Sequence, residues 1–116
     1  MLGNPASINE LLEQRRSARQ AKSERDAYLM KLHQFAAEVL LKADDAQSVR
    51  KRALLQVDKW ENGALCSRNY ITAWRNILKM NSPVELRESM LRTDDEGIAL
   101  RQNTPFGFLK ERLQWQ

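Results

Sequence analysis

Five cations crowd one short stretch near the start of the chain: Arg15, Arg16, Arg19, Lys22 and Arg25. Wound as a helix at about 100° per residue they gather on roughly half of the circumference. That spacing suits contact with the phosphates of a duplex or a folded RNA. The competing reading is a solvated helix face on which Glu13, Glu24 and Asp26 offset part of the charge, Glu24 and Asp26 interrupting the basic side. A second run, Arg50-Lys51-Arg52, opens a later helical stretch, where the positive end of the helix dipole disfavours cations. Either an anionic partner or Asp44 and Asp45 must compensate them. Arg68 and Arg75 complete the set of cations that a nucleic acid would meet.

Nucleophilic and metal chemistry have little to work with. Cys66 is the only cysteine, which rules out an intramolecular disulfide and a multi-thiolate metal site, and His33 is the only histidine, so neither a His-based metal site nor a Cys-His nucleophile pair has support beyond these two residues. His33 lies within a dense apolar stretch and is expected to pack; Cys66, just ahead of Ser67, is expected to be a small, partly buried residue that sets a turn. The sequence has no Gly-rich phosphate loop and no HExxH motif. The acid clusters Asp44-Asp45 and Asp94-Asp95-Glu96 fall at helix starts, where acids are favoured in any case. The expectation is a protein that is not an enzyme and takes no cofactor or metal.

Apolar side chains at the two ends of the chain are the other candidates. Ile8, Leu11 and Leu12 precede the basic stretch, and Phe106, Phe108 and Trp115 lie close to the C-terminus. Large aromatics of this kind either anchor in a partner's groove or fold back over the core. Trp115 is expected to be exposed.

These residues need elements to position them, and the breakers mark those elements out. Glycine occurs at 3, 63, 97 and 107 and proline at 5, 83 and 105, so Ala6 to Asn62 is free of both and rich in helix formers. Ser7 with Glu10 makes a capping-box pattern, which predicts a first helix from Ile8 to about Lys42. Asp44 and Asp45 break the stretch, a second helix starts near Ala46, and Gly63 stops it. Ser67 caps a third helix through Met80. Ser82, Pro83 and Glu85 open a fourth that runs to about Arg92. Thr93 to Gly97 cap a short helix through Gln102, and Thr104-Pro105 repeats the cap-then-proline pattern ahead of Phe108, Leu109, Leu113 and Trp115. No segment alternates apolar and polar residues as a strand would.

A helix from Ile8 to Lys42 would span roughly 50 Å, whereas a compact chain of this length is about 35 Å across. One end must project or the helix must bend. Tyr28, Leu29, Leu32, Phe35, Ala36, Val39 and Leu40 anchor the second half, so the N-terminal half, an apolar tip followed by a basic stem, is expected to form an arm.

Trp60-Glu61-Asn62-Gly63 followed by Ser67, Ile71 and Ile77-Leu78 resembles the stretch of repressor-type helix-turn-helix domains in which a Ser-capped helix follows a Trp-Glu-x-Gly turn. The glycine turn which that resemblance implies upstream is missing, since Arg50-Lys51-Arg52 sits in an unbroken helical pattern. An αα-hairpin is expected instead, with Val49, Ala53, Val57 and Trp60 packed on Ile71, Trp74 and Leu78.

The whole chain has 116 residues, is 42% hydrophobic and 29% charged, and carries a net charge of +4. It reads as one globular all-α domain over 1–116, a small bundle of about four to six helices in which 8–42 is the long helix and 46–116 supplies the hairpin and short C-terminal helices. No apolar run approaches the roughly 18–20 residues of a membrane span. Met1-Leu2-Gly3-Asn4-Pro5 lacks the basic and apolar parts of a signal peptide, so a cytoplasmic location without membrane contact is expected. The functional expectation is a helical interaction protein, such as an accessory subunit, adaptor or antitoxin-like inhibitor, that binds a protein partner or itself. The alternative is a nucleic-acid-binding regulator or a small subunit of a nucleoprotein complex.

Overall fold

The breaker-free stretch folds as two helices, α1 (Pro5–Lys42) and α2 (Ala46–Gly63), in a computed structural model that describes residues 5–115, with side chains from Ser7 onward. Residues 1–4, part of the segment in which no signal peptide is expected, lie outside the described residues. After α2 come α3 (Arg68–Ile77), α4 (Pro83–Met90), α5 (Asp95–Gln102), a single 3₁₀ turn (Gly107–Leu109) and α6 (Lys110–Gln114). No strand occurs among the described residues, and the all-α class is as expected.

Several boundaries differ from expectation. α1 begins at Pro5, so Ser7 lies inside the helix instead of capping it. Proline fits a first helical position because its φ is already helical and that position needs no N–H. Gly63 belongs to α2, and the left-handed residue that ends the helix is Ala64 at φ 52°. The Leu65 N–H then returns to the Trp60 carbonyl at 2.9 Å, a Schellman-type closure. α3 stops at Ile77, short of Met80: the Lys79 and Met80 N–H groups bond three residues back, at 3.2 and 3.0 Å, and the Arg50 guanidinium donates to the freed Leu78 carbonyl and, at 3.3 Å, to that of Met80. α4 ends at Met90, not Arg92; the Arg92 side chain reaches forward to Asp94 and to Glu96 at 3.0 Å.

Two caps form as the residue types dictate. The Ser82 hydroxyl accepts the Glu85 N–H at 3.3 Å, with Pro83 opening the helix, and the Asp94 carboxylate accepts the Gly97 N–H at 2.9 Å. Gly97 must be glycine in this turn, since a Cβ there would stand 2.4 Å from the Arg92 carbonyl oxygen. Asp45 and Ser67 flank helices without side-chain caps. Asp45 instead takes both Arg112 nitrogens, at 2.9 and 3.1 Å, and ties α6 to the α1–α2 corner.

The core lies between the C-terminal half of α1 and everything after it. Leu29, Leu32, Ala36, Ala37, Val39 and Leu40 meet Val49, Ala53 and Val57 of α2, Ile71, Trp74, Ile77 and Leu78 around α3, Leu86 and Met90 of α4, Leu100 of α5, and Phe106 and Leu109. The α2–α3 hairpin packs as expected, and α2 runs unbroken through Arg50-Lys51-Arg52, so the helix-turn-helix geometry is not adopted. Glu38 of α1 and Arg87 of α4 form a two-point ion pair at 2.9 and 3.1 Å. Arg87, joined by Lys42, holds the Glu38 carboxyl down at about 2.

Trp74 is fully buried at the centre. Its ring stacks on His33 with centroids 5.6 Å apart and meets Phe106 edge-on, also at 5.6 Å, while its Nε1 donates to the Asn103 carbonyl at 2.7 Å.

Candidate partner-binding surface

Every described side chain from Ser7 to Arg25 is exposed, whereas burial in α1 begins at Leu29. The outer half of the helix therefore stands clear of the bundle, and the molecule measures 63 × 33 × 25 Å. Its radius of gyration is 17.9 Å, against about 13 Å for a compact chain of this size. With neither glycine nor proline after Pro5, and with good helix formers throughout, α1 continues outward without a bend-inducing residue.

Residues seven apart on an α-helix lie nearly above one another, drifting by only about 20° per heptad. Ile8, Arg15 and Lys22 therefore continue the column of Leu29 and Ala36, and Leu12, Arg19 and Asp26 that of His33 and Leu40. Leu29, His33, Ala36 and Leu40 are buried against the bundle. The side of α1 that the bundle covers below is thus bare above, and it carries apolar groups at the tip and cations along the stem. Ile8, Leu11 and Leu12 are 63%, 52% and 48% exposed.

Charges on the arm are sorted around the helix. Glu10, Glu13 and Glu24 fall on the side away from Ile8, Arg15 and Arg19 when the helix is wound at about 100° per residue. Glu24 accepts from Gln20 at 3.2 Å and Glu13 pairs with Arg16 at 3.2 Å. The expectation that Glu24 interrupts the basic side is therefore corrected. Asp26 does lie on that side, at its base, and accepts from the Gln102 amide at 3.1 Å. Arg16 and Arg25 flank the face.

Other candidate cations are engaged within the fold. Arg50 holds the C-terminal carbonyls beyond α3. The Arg52 guanidinium lies 4.4 Å above the Phe108 ring centroid. Arg75 binds Glu61 twice, at 2.8 and 3.0 Å, and Asp58 at 2.8 Å, and Arg68 also contacts Glu61. These arginines hold the Glu61 carboxyl down at about 2. Lys51 points to solvent.

The C-terminal aromatics separate. Phe106 is fully buried against Trp74 and His33, Phe108 is half-buried beneath Arg52, and Trp115 is 86% exposed. Phe106 thus belongs to the core, and its ring is not available to a partner. Between α2 and residues 104–108 runs an open groove of about 810 Å³, lined by Arg52, Leu55, Lys59 and Phe108 among others.

His33 is sealed inside the fold. Its Nδ1 lies 2.6 Å from the Leu29 carbonyl, which can only accept, so Nδ1 carries the proton and Nε2 accepts from the Thr104 hydroxyl at 2.7 Å. The same hydroxyl accepts the Phe106 N–H at 3.0 Å. Burial, assisted by nearby Arg101, lowers the His33 pKa to about 4 against the opposing effect of the Leu29 bond. The imidazole is neutral and both nitrogens are occupied. Cys66 is half-buried, as its position before Ser67 implied. No group of three or more His, Cys, Asp or Glu side chains among the described residues is placed to hold a metal ion.

No described helix is long and apolar enough to cross a membrane. Comparison with protein-family models, with curated proteins and with solved structures finds no match to the chain. The columns that link the arm to the core-facing side of α1 were legible in the sequence as heptad spacing. The tie from Thr104 to His33 had no local signal.

Proposed function

We propose that this protein is a non-enzymatic helical interaction module that presents the outer half of α1 as a docking arm. One observation carries the reading: the side of α1 that is buried in the bundle continues outward for several uncovered turns, with Ile8, Leu11 and Leu12 exposed at its end. A helix this long gains most of its stability from packing of one face, and a partner that continued the bundle along the same face would supply it. The employment of His33 as a buried structural group supports a role outside catalysis.

A nucleic acid is the second reading for the same arm, favoured by Arg15, Arg19 and Lys22 sharing a side that holds no acid above Asp26. Deleting residues 1–14 tests the common premise. Because the described side chains of this segment, Ser7 to Gln14, are all exposed, the shortened protein should unfold at the same urea midpoint as the parent and yet lose its complexes in pull-downs from native extract. Retention of every complex by the shortened, folded protein would rule out the arm. Nuclease treatment of the extract separates the two classes of partner.

A further inference from the structure

Resting on the reading of α1 as a docking arm, we infer that the arm's partner is an acidic protein groove: an apolar pocket takes Ile8, Leu11 and Leu12, and carboxylates beside it face Arg15, Arg19 and Lys22. Charge complementarity carries the inference. Beyond Asp26 at its base, which is engaged by Gln102, the only charges on the face are cations, and the arm's other acids, Glu10, Glu13 and Glu24, lie on the far side of the helix, out of reach of a partner seated on it.

A second copy of the chain does not meet these demands. Residues 26–116 contain fourteen Lys and Arg against twelve Asp and Glu, so the body is itself positive. Glu38, Asp45, Asp58, Glu61, Asp94 and Glu96 are already held in ion pairs. Pairing two arms side by side in opposite directions would set Arg15 of one near Arg19 of the other, an arrangement that like charges disfavour.

The order of residue types along the face separates a protein from other polyanions. A duplex offers phosphates to Arg15, Arg19 and Lys22 but no apolar recess for Ile8, Leu11 and Leu12. A helix lying in an anionic bilayer segregates apolar and charged residues around its circumference. Here they follow one another lengthwise on a single side. A groove that is apolar at one end and acidic at the other matches that sequence, in the manner of helix-in-groove recognition.

The test places a photo-crosslinking amino acid at Ala18, an exposed position on the edge of the face, in the full-length protein expressed in its native cells. The crosslinked species is then sequenced by mass spectrometry. The expected product is a protein segment rich in Asp and Glu and flanked by apolar residues. Its yield should fall by about tenfold or more in R15E/R19E/K22E and in L11S/L12S, while E13Q/E24Q, on the far side, should leave it unchanged. Circular dichroism of each variant verifies the fold. Crosslinks to nucleic acid, to lipid, to a second copy, or to a protein segment without excess carboxylates would overturn the inference while leaving the arm's docking role intact. Absence of any crosslink would overturn both, as would yields in which the near-face and far-face variants behave alike.

Discussion

The Nε2 of His33 and the hydroxyl of Thr104 lie 2.7 Å apart, a contact that bridges 71 positions of sequence. It fastens the C-terminal segment to α1 directly beside Trp74, and its chemistry depends on the histidine being neutral. In the unfolded chain this imidazole titrates near 6.5, in the folded protein at about 4.

Between those values the unfolded chain binds the extra proton, so stability should rise with pH from about 4 to 6.5 and be complete above that window. The loss on acidification should approach about 3 kcal/mol. Urea midpoints measured across the window should show the slope in the parent and not in His33→Gln, whatever the variant's absolute stability. Equal slopes in the two proteins would show that the histidine titrates normally. Glu38, with its carboxyl lowered from 4.5 to about 2, acts in the same sense but lower on the pH scale, stabilising above 4.5 and failing as pH falls toward 2, so its loss follows that of His33 on acidification.

Trp74→Ala should cost roughly 3–5 kcal/mol, from the cavity and from the lost bond to the Asn103 carbonyl. That is comparable with the whole stability of many small domains. A variant with the parent's urea midpoint would contradict the buried placement of this ring.

Arg50→Ala should destabilise by about 1–2 kcal/mol, because two carbonyls beyond α3 lose a charged donor. The exposed neighbour Lys51→Ala should change stability by no more than about 0.5 kcal/mol. Thermal melts of the two variants distinguish the structural cation from the surface one, and similar melting temperatures would refute the assignment.

Ala64 occupies the left-handed region at φ 52°, where a Cβ is strained. Ala64→Gly should therefore stabilise the protein by up to about 1 kcal/mol. A lowered unfolding midpoint would mean that the backbone there is not left-handed.

Amide exchange should follow the change of environment along α1. Protection is expected to be highest from Leu29 to Leu40 and to decline steadily from Asp26 toward the N-terminus, since the outer turns are held only by local helix hydrogen bonds. Uniform protection along α1 in the isolated protein would show that something already covers the arm.

Local chemistry was enough to determine the elements. The absence of Gly and Pro from Ala6 to Asn62 compelled helix, Asp44-Asp45 divided it, and the Ser82-Pro83 and Asp94 signals opened α4 and α5 where the sequence placed them, because caps and breakers act within a single turn. The anchored half of α1 was legible in the same way from its apolar periodicity. Tertiary structure decided what a pattern of residue types leaves open. Phe106 and Phe108 have the same type and nearly the same position in the chain, yet the first is sealed against Trp74 and the second half-covered by Arg52. Arg50 and Lys51 are adjacent cations, and only Arg50 finds carbonyls to serve. Ser67 and Asp45 have capping chemistry but do not cap, and Ala64 takes the left-handed turn next to a glycine that does not. The burial of Phe106, the cover over Phe108, the employment of Arg50 and the diversion of Asp45 to Arg112 each depend on which group from a distant part of the chain arrives at that place. Such arrivals are set by packing between helices and not by the spacing along one.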